Sequence, residues 1–224
     1  MNELERTRYQ GREMNLEIVN ASVVVLSEGN NPKLLNPDFL ERNRIVSAEW
    51  KVQDVVVTPP FAQVTYENGI HFLVEINKFQ VQVTKPAVLD WKKDLPRMVT
   101  AYLELLPHVT YRAVGINFVF IAHVSSGGPL TELLQDGPWL ASEGGVTGAT
   151  IEFHYRKRLP EFNVKIALQE PPNLKTGRGD EVILTVNYHR DFAADEAHAR
   201  AEYIQGIGLL ESRFFDFAES LPFD

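Results

Sequence analysis

Apolar and polar residues alternate along much of the chain. In "IHFLVEIN" (70–77), Ile70, Phe72, Val74 and Ile76 alternate with His71, Leu73, Glu75 and Asn77. A period of two is that of a strand with one strongly apolar face. Phe79, Val81 and Val83 continue the alternation. Just before it, "ENG" (67–69) separates two strand-like runs. Asn68-Gly69 suits the positive φ values of a type I′ turn, so a hairpin is expected there. Pro59-Pro60 cannot donate ladder hydrogen bonds, and pairing is expected to start after them.

Elsewhere the period lengthens. Leu95, Val99, Tyr102 and Leu106 fall on one helical stripe, with Asp94 as the expected N-cap and Pro96 in the first turn. A second long helix is expected over about 194–219, with Ala197, Ala201, Ile204, Leu210, Phe214 and Phe217 on its stripe. Gly206 and Gly208 weaken or bend it by roughly 1 kcal/mol each. A short helix is expected from Asn36 as N-cap, Pro37 at the first position and Leu40 facing inward.

The elements come in an order that repeats. "EIVNASVVVLSEGNNP" (17–32) and "VGINFVFIAHVSSGGP" (114–129) are both apolar runs that break into small polar residues and Pro. Asn20 matches Asn117 and Pro32 matches Pro129, both 97 residues apart. "FLVEIN" (72–77) echoes "VILTVN" (182–187), and Leu106-Pro107 echoes Leu221-Pro222. The expected fold is therefore α+β. Pseudo-duplicated β-α-β-β-β-α halves (15–108 and 109–222) form a curved, mainly antiparallel sheet with two long helices on one face. Residues 1–14 read as an N-terminal tail, and residues 15–224 as a single domain.

This order of strand, short helix, antiparallel meander and long helix, given twice, resembles the duplicated TATA-binding-protein-like fold. That resemblance implies a saddle-shaped sheet with the long helices on its convex side. It does not carry DNA binding with it, because TATA-binding protein is strongly basic and reads the minor groove with basic and aromatic residues. "YRAVGINFVF" after a long helix, with a final helix ending in "FFDFAESL", also resembles a sporadically distributed, uncharacterised bacterial protein family. This second resemblance implies no activity.

Charge bears directly on partners. The formal net charge of the 224 residues is −8. Residues 1–108 carry a net −2 and residues 109–224 a net −6, so neither half is a basic arm. This argues against a nucleic-acid partner. The chain has no cysteine, which excludes disulfides, thiolate metal sites and a Cys nucleophile. The beginning, "MNELERTRYQGREMNLEIV", is charged throughout and lacks the apolar segment of a signal peptide. No apolar run approaches the ~18 residues of a membrane span. A soluble cytoplasmic protein, with no membrane association, is expected.

Candidate chemistry is sparse. The six histidines (71, 108, 123, 154, 189 and 198) form no HxH, HExxH or HxxxH spacing, and neither a metal nor a cofactor is expected. His154 and His189 lie in strands that could be neighbours. In such strands Glu152 shares a face with His154, and Asp191 with His189, while Tyr155 and Arg190 point away. Ordinary cross-strand polar pairs compete with an acid–base cluster at this point. Asn117, like Asn20, sits inside an apolar strand and needs hydrogen-bond partners. "SSGGP" (125–129) has backbone N–H groups before a helix but no phosphate-binding Lys, and a plain turn is the simpler reading. Arg156, Lys157 and Arg158 form the most basic point, either a contact for an anionic partner or a solvated turn. No catalytic residue is singled out.

The leading expectation is a non-catalytic binding or assembly protein that holds a protein partner or another copy of itself. Its motive is the central strand, expected to be apolar on both faces: Val114, Ile116, Phe118 and Phe120 one way, Tyr111, Ala113, Val119 and Ile121 the other. An enzyme or small-ligand binder with a pocket near Asn117, His154 and His189 is the alternative. Nucleic-acid binding through Arg156, Lys157 and Arg158 is the second alternative.

Overall fold

The two longest runs of strand-forming residues become the centre of the sheet. They are β1 (Leu16–Glu28) and β6 (Thr110–His123). A computed structural model describes residues 16–123, 150–155, 162–168 and 181–218. The expected tail, the "SSGGP" turn and its helix, and Arg156, Lys157 and Arg158 lie outside the described residues.

Seven further strands complete the sheet: β2 (Val52–Thr58), β3 (Phe61–Tyr66), β4 (Ile70–Glu75), β5 (Lys78–Val83), β7 (Thr150–Tyr155), β8 (Phe162–Leu168) and β9 (Glu181–Asp191). Their spatial order is β2-β3-β4-β5-β1-β6-β9-β8-β7, and every neighbouring pair is antiparallel. The protein is thus α+β, built on one open antiparallel sheet.

One face of this sheet is covered by helices. Helix α1 (Pro37–Arg42) starts where expected, with the Asn36 side chain accepting from the Phe39 N–H. Helix α2 (Trp91–Leu105) lies along β5 and β1, and Phe79 stacks on Tyr102 at 3.8 Å. Two shorter helices, α3 (Ala197–Gln205) and α4 (Ile207–Ala218), cover β6 and β9. There Phe120 stacks on Phe214 at 4.7 Å, and the Tyr188 hydroxyl donates to the Leu210 carbonyl at 2.7 Å. Val23, Val25, Phe72, Val81, Ile116, Phe118 and Val186 are wholly buried under this layer. Each such side chain contributes about 1.5–3 kcal/mol relative to exposure.

The structure corrects several expectations. Pairing begins before Pro59-Pro60, which form the two-residue turn between β2 and β3. A turn at the sheet edge needs no N–H from them. The first half therefore has five strands, not four. The "ENG" hairpin exists, but among its loop residues only Gly69 has a positive φ (86°). The Gly69 N–H donates to the Tyr66 carbonyl, which makes a three-residue loop in place of a type I′ turn. Helix α2 begins at Trp91, three residues before Asp94, and Pro96 lies inside it.

The expected single helix over 194–219 is two helices, because the chain turns at Gly206. The two-long-helix arrangement is thus one helix of 15 residues and two of 9 and 12. Tyr111 faces the helices and not the open side. A register shift between Leu26 and Ser27 leaves Arg112 unpaired on β6 and turns Tyr111 inward. Its hydroxyl donates to the carbonyls of Leu103 and Leu106 at the end of α2.

A Cβ at position 69 would lie 2.8 Å from Lys85 Cβ and would sit at positive φ. Gly69→Ala is expected to destabilise the protein by roughly 2 kcal/mol, read as a lower urea midpoint at unchanged slope. An unchanged midpoint would contradict this turn geometry.

Candidate functional site

The face away from the helices carries the other half of each alternation. Its central feature is a row of polar side chains set by strand register. Thr65 pairs with His71, His71 with Gln82, Gln82 with Ser22, Ser22 with Asn117, Asn117 with Asn187, Asn187 with Asn163, and Asn163 with His154. Eight consecutive strands thus each contribute one uncharged polar or imidazole side chain at the same level.

Hydrogen bonds tie much of the row together. The Asn187 amide donates to Asn117 Oδ1 at 2.6 Å, and the Asn117 amide donates to Ser22 Oγ at 3.4 Å. His154 Nδ1 lies 2.7 Å from Asn163 Oδ1. His71 is held between Thr65 Oγ1 (3.1 Å) and Thr84 Oγ1 (3.2 Å). Ser22 is 5% exposed, so its hydroxyl depends on this partner. The neighbouring level runs through Gln63, Leu73, Gln80, Val24, Gly115 and His189.

These two levels contain no Asp, Glu, Lys or Arg among the residues just named. Charged residues begin on the level next to the row, at Lys165 and Glu152, and several are paired. Glu75 meets Lys78 at 2.9 Å, and Glu152 meets Lys165 at 3.6 Å. Val119, Ile121 and Ile183 add partly exposed aliphatic surface on the same face.

The three candidate residues share this face. Asn117 and His154 stand in one row, three strands apart, which is about 14 Å at ordinary strand spacing. His189 lies on the adjacent level, 3.2 Å from Asp191 Oδ1. Glu152 and Asp191 fall on the faces expected for them. Arg190 points the other way and packs 4.8 Å over the Phe192 ring. His154 and His189 are both exposed and about 12 Å apart, so they do not converge on one reacting atom. A groove on the helical side includes Lys92, Arg97 and Gln205. Among the described residues, no three His, Asp or Glu side chains gather where they could hold a metal ion. No described helix is long and apolar enough to cross a membrane.

Asn20 and Asn117 lie in the two central strands but do not face each other. Asn20 opposes Val119, and Asn117 opposes Ser22. Inspection of single strands misses Ser22, Gln82, Asn163 and Asn187. Each is an ordinary polar residue in the outward phase of its strand, and only register lines them up.

No protein-family model matches this chain, and no curated protein matches it in sequence. Its class therefore rests on the fold: an α+β protein with one helix-covered sheet face and one open, amide-rich face.

Burial holds the His71 imidazole below its ordinary pKa, and nearby Lys85 adds to the effect. The native state then binds fewer protons than the unfolded chain between that lowered value and about 6.5. Stability is expected to fall as pH drops from about 6.5 through the native pKa. His71→Gln should lose less stability than the parent between about pH 7.5 and about pH 5, read from urea midpoints. Identical losses in the two proteins would contradict this.

Proposed function

We propose that the protein is a non-catalytic binding or assembly protein, and that the open sheet face holds a protein partner. One observation carries this reading. The middle of that face is a preorganised row of amide, hydroxyl and imidazole groups that itself contains no Asp, Glu, Lys or Arg, with Val24, Leu73 and Val119 beside it. Amides and hydroxyls both donate and accept, as a polypeptide does. Val24 and Leu73 on one side of the row and Val119 on the other supply apolar contact beside it. Phosphate backbones require Lys or Arg, and these two levels offer neither, so nucleic acid fits poorly. The separation of His154 from His189 likewise favours binding over catalysis.

The strand order also supports a duplicated origin. Each central strand has the last strand of its own half beside it, β5 next to β1 and β9 next to β6. On this reading a 97-residue shift relates the halves, and the Ala21–Phe118 pair would lie on their pseudo-twofold axis. The echo between 72–77 and 182–187 does not belong to this scheme. It joins β4, two places from β1, with β9, directly beside β6. A TATA-binding-protein-like saddle agrees with the order of the strands, and the amide-rich face would be its working surface.

A photoreactive amino acid at Thr185, exposed on the open face, tests the reading against one at Glu104, exposed on α2. In host cells, Thr185 is expected to give a discrete cross-linked protein at several-fold higher yield than Glu104. Equal yields, or no product at either position, would refute it.

A further inference from the structure

The sheet ends on β2, whose seven residues are all exposed. Val52, Val55, Val56 and Val57 are 42%, 41%, 38% and 46% exposed. Among the described residues β2 pairs with β3 alone, so its outer edge presents unpaired backbone groups beside a run of valines. Edge strands are ordinarily blunted by charge, proline or a bulge. β7, at the opposite end, carries exposed Glu152 and His154, and Glu152 pairs with Lys165. Between Asp54 and Thr58, β2 has no such protection. Its bulge at Gln53 and the prolines at 59 and 60 lie outside that stretch.

We propose that two copies of this chain associate by pairing their β2 edges antiparallel, about a twofold axis at Val56. This goes beyond the open-face reading and does not rest on it. Three constraints select the register. First, a twofold axis perpendicular to a continuous sheet keeps each side chain on its own face. Paired residues share a face, so one residue must oppose its own copy. Second, Thr58 and Phe61 close the two-residue turn as a hydrogen-bonded pair, which turns the N–H and C=O of Val56 and Asp54 toward β3. Val55 and Val57 then present theirs to the outer edge.

Third, side chains must match across the axis. With Val56 opposite Val56 of the second copy, Val55 meets Val57 twice on the helix-facing side. Asp54 meets Thr58 twice on the open side, so each carboxylate faces an uncharged residue whose own hydroxyl donates to the Phe61 carbonyl at 2.8 Å. Centring on Asp54 would oppose two carboxylates. Centring on Val55 would set Val57 against the bulged Gln53. The register at Val56 pairs every apolar residue with an apolar one and leaves no like charges facing. Five residues per strand bury less than the ~1,000 Å² of a stable interface, so the dimer forms reversibly and dissociates on dilution.

The absence of native cysteine makes the register directly testable. Val56 opposes its copy at a non-hydrogen-bonded position, where Cα atoms stand about 4.5 Å apart, within disulfide range. Val56→Cys is expected to oxidise to a covalent dimer. Val55→Cys alone should give at least several-fold less, while a mixture of Val55→Cys and Val57→Cys should cross-link. Val56→Asp should weaken the dimer at least tenfold in sedimentation equilibrium, with its circular dichroism unchanged. A parent protein that stays monomeric at about 100 µM would overturn the proposal. So would equal cross-linking of Val55→Cys and Val56→Cys, or a Val56→Asp dimer as tight as the parent's.

Discussion

The antiparallel pairing of β1 with β6 carries the rest of the sheet. It joins segments about ninety residues apart along twelve paired positions, from Leu16–Ala122 to Glu28–Thr110. Each of the other strands reaches the centre only through β5 or β9, which lie directly on this pair. The helix side of the pairing is wholly buried at Val23, Val25, Ile116, Phe118 and Phe120. Shifting the register by one residue would move these onto the open face and bring Ser22 and Asn117 into the core. Two irregularities refine it. One, at Val19, puts Ile18 opposite Phe120 on the helix side. The other, at Arg112, turns the Tyr111 hydroxyl to the last carbonyls of α2, while Arg112 itself forks onto Glu28 at 2.7 and 2.8 Å.

That register also makes the open face what it is. Alternation decides that Ser22, Asn117 and Asn187 point away from the helices, and pairing brings them within hydrogen-bonding reach. The two faces follow different rules. The helix side is closed by aromatic stacking, as at Phe79–Tyr102 and Phe120–Phe214. The open side satisfies polar groups sideways, through neighbouring strands. Unlike a charged surface, such a face attracts no distant ligand. It rewards a partner that matches its spacing.

Much of the fold was legible along the chain, because a period of two or of 3.6 is a local property. The alternation over 70–83, the Asn36 cap and the stripe through Leu95, Val99 and Tyr102 all follow from neighbouring residues. What could not be read depends on distant partners. Pro59-Pro60, barred from a ladder by their missing N–H groups, serve as a turn because β3 folds back on β2. Tyr111 looked outward until the extra residue at Arg112 reversed it. Gly206 was expected to weaken one helix, and packing against α2 and β6 instead left two. The candidate site was visible only in part. Asn117, His154 and His189 share a face, as alternation predicts, but the row between them requires the register of eight strands.

Methyl-resolved NMR in an extract of the native host tests the binding account most directly. Val24, Leu73, Val119 and Ile183 report on the open face, whereas Leu105 and Leu209 are exposed on α2 and α4. The account predicts that the first group broadens or shifts when extract is added, while the second keeps its positions. Perturbation confined to Leu105 and Leu209, or none in the open-face methyls, would contradict it.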